Sequence, residues 1–569
     1  MNEKKIPKKK RFLPTHKPIV VGGLVAIVSL AGIITGVVWY INRLKPGEQT
    51  LIWGVGEAPL WEIDPLELWW PVPLVENSAE GLFAVNLTNP ESDILPNLAL
   101  DGIWSLDGLN FTCPLRQKVK FHDDTPFNAI AAKWNFDRVH RLSDALTYPE
   151  LWKLPDGRFI INETIVIDDY TIRFVLNAPY APFKNLLSAW PSYILSPTST
   201  PDDEFLNPNT EFLVGTGPFI YDHLEVNVSF SMSANQDYWG GRPQIDTINF
   251  TVIPEEMTGI EPFLLKKIHL GRLVLNQTEL KKLQDDPSFN VTEHLVPRVR
   301  WLVLNNKLIN TTMRKALSYA VNCSTINEFF GDTILAKSPI PENVLYHNIT
   351  GINIPYYNVT IARQILKDAG WPGTENLTAN GDVSPENEWE TVANSSTPLA
   401  TYNYTIFDFW EAADVNHTGA VLVENFKQIG VKIELVSVSY DIMNWMECDL
   451  YGYHRNMYHM TFTGWIADIN DPSNFINAHF TTEKLAYFEN YNYGQVNDTL
   501  VQQWMEEALT PGNRRQLYYQ IQKHLIEEVY PNIWLHSTSY YVVTVSNLEG
   551  YYPNWFRPYY CRFVYFKSQ

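Results

Sequence analysis

The sequence predicts an α/β protein with large buried cores, carried behind a single N-terminal membrane-spanning helix. Three observations support this: strand-like and helix-like periodicities alternate along most of the 569 residues, no short repeat or low-complexity tract interrupts them, and the one long uncharged run lies near the start. With 45% hydrophobic and 19% charged residues and four cysteines, the chain falls outside the disordered, collagenous and disulfide-dense classes. The net charge of -20 argues against a nucleic-acid partner, which would require a basic face.

That charge is unevenly spread. Residues 1–45 sum to +8 and the remainder to -28. Between Lys17 and Arg43, Ile19–Ile41 carries no charge and at ~1.5 Å per residue is long enough to cross a bilayer core of ~30 Å. Trp39 and Tyr40 stand at its far end, where aromatic rings favour the interface, and the excess of basic residues before it keeps residues 1–18 in the cytoplasm. The expectation is a single-pass anchor over 19–42 with everything after about residue 45 outside the cell membrane. A cleaved signal peptide is the alternative, but no small-x-small cleavage site closes the run.

Sixteen Asn-x-Ser/Thr sequons follow the run and none precedes it. With 47 Asn, chance would supply about five, so a glycosylated exterior is expected. Cys113, Cys323, Cys448 and Cys561 show no zinc spacing, and one or two disulfides in any of three pairings are permitted.

Along the ectodomain, Tyr170–Leu176, Ser229–Ala234 and Arg300–Leu304 alternate like strands. Ala362, Ile365, Leu366 and Ala369 share one helical face that Gly370 and Pro372 terminate, and a second amphipathic helix starts near Asn513. Thr374–Tyr404 is polar and aperiodic and is read as a surface insertion. Gly215-Thr-Gly-Pro-Phe219 is a turn, because Pro218 removes a donor that a phosphate cradle would need. No HExxH, GxSxG, P-loop or GxGxxG is present, and His454 and His459 are more often packing residues than ligands. No enzyme, cofactor or metal is expected.

Several stretches taken in order are similar to one family. They are Leu95–Leu100 with Trp104–Gly108, Leu115–Asp123 with Thr125-Pro-Phe127, Gly215–Phe219 with Asn235–Pro243, Met313–Asn322, Ala362–Pro372, and Gly464-Trp-Ile-Ala-Asp-Ile-Asn-Asp-Pro472. Together they resemble the family 5 extracellular solute-binding proteins, the dipeptide- and oligopeptide-binding subunits of ABC importers. Asp124 stands where that family usually has Gly, and Ile268–Leu273 departs from its Gly-Glu-Ile-Asp-like turn.

The resemblance implies a two-lobed, type II-like periplasmic-binding-protein clamp. Lobe I would hold 46–292, with an extra subdomain at about 86–200, and the returning tail 529–569; lobe II would hold 300–528. Crossovers are expected near 293–300 and 528–537. The resemblance also implies a ligand in the cleft. Asp468 would partner a peptide's α-ammonium, Trp465 would form a wall, and Trp190 is a weaker wall candidate. The other reading of Asp468 is a turn cap before Pro472. The implied partners are an oligopeptide or dipeptide, ABC permease subunits with separate ATPase chains, and the membrane through 19–42, with the protein a monomer. An oligosaccharide ligand, suggested by 19 Trp and 30 Tyr, and a non-transport ligand sensor are the alternatives.

Overall fold

A computed structural model describes residues 48–55, 62–68, 71–89, 93–147, 149–208, 210–225, 228–253, 259–330, 333–380, 387–408, 412–439, 458–482 and 492–567. The run Ile19–Ile41, Asn227, Cys448 and His454 lie outside them. Among the described residues no helix is long and apolar enough to cross a membrane. Gln49–Gln569 forms one unit.

Within that unit one strand, Asn532–Val545, joins two sheets. Its first half pairs antiparallel with Arg298–Leu304, through Arg300↔His536 and Leu302↔Ile533. Its second half pairs with Phe289–Leu295 and with Leu270–Leu273. The strands Phe289–Leu295 and Arg298–Leu304 follow one another with only Val296 and Pro297 between them, so two chain crossings lie side by side. The pairing register shifts between Arg300 and Trp301, where the long strand passes from one sheet to the other. Such bulges bend a strand and are natural places for a pivot.

On one side of this joint, Thr50–Val55 sits between Thr247–Val252 and Leu270–Leu273, and Ser229–Ala234 and Phe219–Glu225 extend the sheet. This is the first lobe. On the other side, Met460–Ile466 pairs with Arg298–Leu304, and Ala400–Asp408 and Val431–Ser439 run parallel beyond it. This is the second lobe. Its sheet is buried on both faces, with Leu302, Leu304, Met460 and Tyr404 on one and Val299, Trp301, Val303 and Trp534 on the other. A separate four-stranded sheet of Ile103–Trp104, Asn110–Pro114, Thr171–Leu176 and Ile161–Asp168 packs with the helix Ala129–Arg141 around Phe111, Phe136 and Phe174.

The expected strands form at Thr171–Leu176, Ser229–Ala234 and Arg298–Leu304, and the expected helices at Val359–Asp368 and Arg514–His524. The first helix stops because Gly370 adopts φ +62°, which costs glycine little. Gly215 and Gly217 are a turn before the strand that begins at Phe219, and they serve packing. A Cβ on either would lie 2.1 Å from the Ser78 carbonyl oxygen or 2.4 Å from that of Asn77, so the backbones meet there. Asp124 has φ +66°, which explains why a glycine suits its position better.

One expectation needs correction. Thr374–Tyr404 is not wholly a surface insertion: Trp389, on the helix Glu388–Ala393, is completely buried and donates its indole N–H to the Thr378 carbonyl at 2.9 Å, and from Ala400 the chain is a sheet strand. A six-residue helix is too short to show periodicity, so its one large anchor was read as part of a polar loop. Cys113, Cys323 and Cys561 are free thiols.

Candidate ligand cleft

The turn that leaves the strand Met460–Ile466 and enters the helix Ser473–Phe480 is the most unusual polar segment in the second lobe. Every residue from Ala467 to Ser473 is buried, although three of the seven are Asp or Asn and a fourth is Ser. Buried polar groups need partners, and the turn's side chains divide sharply in that respect.

Asp471 is fully satisfied. Its two carboxylate oxygens accept from the Arg514 guanidinium at 2.8 Å each, and the Ser473 N–H donates to it at 2.9 Å. Arg514 also donates to the Ala508 carbonyl. This bidentate pair fixes the turn to the helix Arg514–His524.

Asp468 is not. Among the described residues only the Asn474 side-chain amide donates to its carboxylate, at 3.1 Å, together with its own main chain. Burial pushes its carboxyl up to about 7, with the Asn474 bond and its own main chain pulling the other way. Asn474 is the organiser of this corner. Its carbonyl oxygen accepts from the Asp468 main-chain N–H at 3.0 Å and from the Trp465 indole N–H at 3.1 Å. One amide thus holds both expected site residues. The turn-cap role once open to Asp468 belongs instead to Asn474 and Asp471.

Trp465 is half-buried, opposite Val299 in the sheet, with its ring edge-on to His479 at 5.0 Å. Gly464 before it is required by the neighbouring strand: a Cβ there would lie 2.9 Å from Cγ of Arg300, whose guanidinium reaches over Phe462 at 5.5 Å. Trp190 is 3% exposed in a first-lobe cluster with Val75, Tyr193 and Phe219, and its buried indole nitrogen has no hydrogen-bond partner among the described residues. His459 shares hydrogen bonds with Asn403. Among the described residues no group of acids, histidines and cysteines is placed to hold a metal.

The first lobe reaches this same turn. Asn185 donates from its amide to the Asn470 carbonyl at 2.7 Å, and the Trp555 indole N–H donates to the Ala467 carbonyl at 3.2 Å. The Ala181 N–H donates to Leu509 at 2.7 Å, and Tyr180 bonds Ser473. Asp468 therefore sits on a corner that both lobes touch. The sequence pointed to the segment around Trp190, but the side chain that crosses to the second lobe is Asn185. No pattern marks it, because a helix-surface Asn reaching a distant carbonyl leaves no periodic trace. Asn474 was readable in principle, as the Asn of Asp471-Pro-Ser-Asn474 one helical turn beyond the motif.

Comparison with known proteins places this architecture. Residues 93–486 match the model of the bacterial extracellular solute-binding proteins, family 5 middle region. The dipeptide-binding protein of Escherichia coli K12 is 26% identical over 512 residues, covering 84% of this chain and 86% of that one. Heme-binding protein A of Haemophilus influenzae is 27% identical over 481 residues, covering 77% and 78%. The solved structure of HbpA2 from Haemophilus parasuis superposes with a TM-score of 0.75 at 22% identity, over 91% of this chain and all of that one. The fold is the two-lobed α/β clamp of these proteins, and the chain belongs to the family 5 extracellular solute-binding proteins.

Proposed function

We propose that this protein is the membrane-tethered peptide receptor of an ABC importer, holding its ligand between the lobes with the ligand's α-ammonium on Asp468. The observation that carries the reading is the Asp468 carboxylate, buried at the interlobe corner, oriented by Asn474 and lacking a cation among the described residues. An ammonium seated there would supply the missing charge and draw the carboxyl back towards its ordinary range. Trp465, fixed by the same amide, forms the wall beside it, and Trp190, buried in the first lobe, is the weaker wall candidate. The dipeptide-binding relative supports the ligand class. Lobe–lobe contacts at Ala467, Asn470 and Ser473 give ligand contacts and closure a common corner, so that binding favours the closed form.

Permease subunits with separate ATPase chains would receive the ligand from a monomeric receptor, anchored at 19–42 with its lobes outside the cell. The relative named for heme marks the competing ligand class. Mass spectrometry of material co-purifying with the full chain in detergent, with calorimetry against a mixed peptide pool, tests the reading. Peptides should co-purify, and Asp468→Asn should weaken binding by about 2–5 kcal/mol, the cost of losing a buried charge partner. A Soret band or a bound oligosaccharide with no peptide affinity would overturn it.

A further inference from the structure

The fold separates several of the sequons in a way their spacing does not reveal. An asparagine side chain has one acceptor, Oδ1, and one donor, Nδ2, and only Nδ2 can take a glycan. At Asn276 and Asn310 the acceptor caps a helix. Asn276 Oδ1 accepts from the Thr278 and Glu279 N–H groups at 3.0 Å, and Asn310 Oδ1 accepts from Met313 at 2.9 Å. Asn358 does the same for Ile361 at 3.0 Å. At Asn86 and Asn348 the acceptor closes a tight turn onto the Thr88 and Thr350 N–H groups. In all five, Oδ1 is held by the main chain two or three residues on, and Nδ2 has no partner among the described residues. Several asparagines outside sequons spend Nδ2 instead: those of Asn77, Asn97, Asn135, Asn177 and Asn305 donate to main-chain carbonyls, whereas Asn128 caps a helix through Oδ1 as Asn276, Asn310 and Asn358 do.

Of the threonines two residues on, Thr278 and Thr350 are exposed, Thr312 and Thr360 half-buried, and Thr88 is exposed with its hydroxyl donating to Asn86 Oδ1 at 2.9 Å. Asn276 and Asn310 are themselves exposed. Asn249 is the opposite case. It is 7% exposed, on a strand paired on both sides, opposite Ile52 and Ser231.

We infer that Asn86, Asn276, Asn310, Asn348 and Asn358 are N-glycosylation sites and that Asn249 is not. The geometry separates structural work from modification: the cap or turn uses Oδ1, which a glycosylated amide keeps, while the sugar takes Nδ2. The donor is an oligosaccharide carried on a lipid phosphate or diphosphate. Nδ2 bonds to the anomeric carbon, the bond from that carbon to the phosphate oxygen breaks with its electron pair leaving on the phosphate, and an Nδ2 proton passes to a base of the transferase. The inference rests on the reading that the lobes lie outside the cell.

Protease shaving of the native cells, followed by intact glycopeptide mass spectrometry of the full chain, tests both statements separately. Expected is a chain cut on intact cells, with oligosaccharide on Asn276, Asn310 or both and a bare Asn249. Thr278→Ala and Thr312→Ala should abolish the added mass at the preceding Asn while leaving the melting temperature within about 2 °C, because the Asn caps remain. A chain accessible to protease but bare at both Asn276 and Asn310, an oligosaccharide on Asn249, or added mass that survives these threonine substitutions would each overturn the assignment. A chain resistant to shaving would overturn the location and the assignment with it.

Discussion

Buried carboxylates occur in both lobes, and they are solvated in contrasting ways. In the first lobe Glu80 accepts from the Tyr238 hydroxyl at 2.6 Å and from Trp239 and Thr216 at 2.8 Å each. Glu76 accepts from the Tyr559 N–H at 2.6 Å with Arg557 close by, and Asp64 takes a bidentate pair from Arg138 at 3.0 and 2.6 Å. These acids tie the returning C-terminal tail and the helix Ala129–Arg141 to their surroundings. In the second lobe Asp471 follows the same rule with Arg514, and Asp468, three residues before it, breaks it. Elsewhere folding places several donors or an arginine near a buried acid, although at Glu76 one oxygen, Oε1, is buried without a partner among the described residues. Asp468, with one side-chain amide as its donor among the described residues and placed at a corner where two lobes meet, is the acid that the proposed ammonium would complete.

The largest expected effect comes from removing a satisfied pair. Arg514→Met should cost about 3–5 kcal/mol of stability, because Asp471 would be left buried and uncompensated. Denaturant unfolding reads this directly, and a loss under about 1 kcal/mol would remove the distinction between the two aspartates. Asp468→Asn should do the reverse, raising the stability of the ligand-free protein by about 1–2 kcal/mol at pH 8, since an under-solvated carboxylate becomes a neutral amide. The sign has a pH window. The folded Asp468 carboxyl is raised to about 7 from 3.8, so the folded state holds a proton that the unfolded state has lost, and stability falls as pH rises through that interval. The Asn variant should lack this slope.

Glu76 sharpens the comparison from the other lobe. Burial pushes it up to about 8 from 4.5, against the opposing pull of Arg557 and the Tyr559 N–H, so it too costs stability as pH rises through that interval. Glu76→Gln should flatten that part of the stability profile without touching ligand affinity, whereas Asp468→Asn changes both. His536, on the strand that joins the lobes, titrates in the opposite sense. Burial, with Arg300 and Arg298 adding to it, lowers it to about 3 from 6.5, so stability is lost as pH falls below about 6.5 and His536→Phe should soften that loss. Smallest of all, Asp124→Gly should stabilise by under about 1 kcal/mol by relieving the left-handed backbone, since the exposed Lys120 pairing it forfeits is worth little.

The fold was legible where local chemistry decides it. The helix ending at Gly370, the turn at Gly215–Phe219 and the strand Ser229–Ala234 follow from residues within a few positions of one another. The strand shared by both sheets was less so, because Asn532–Val545 pairs with partners more than 200 residues away and changes neighbours midway along. At the candidate corner, Asp468 and Trp465 belong to an ordered motif that the sequence displays. Asn474, which orients both, acts through side-chain geometry that spacing does not encode, and Asn185 and Trp555 reach the corner only once the lobes are assembled. The near-complete burial of Trp190 depends on what the first lobe packs around it, which spacing does not encode.

The central claim is that Asp468 is reserved for a ligand's ammonium. The most direct test is a double cycle by calorimetry on the full chain, in which one co-purified peptide and its N-acetylated form are titrated into the wild type and Asp468→Asn. The claim predicts that acetylation costs the wild type about 2–5 kcal/mol and the variant much less, because the same interaction is removed from either side. Equal losses on acetylation in both proteins would contradict it.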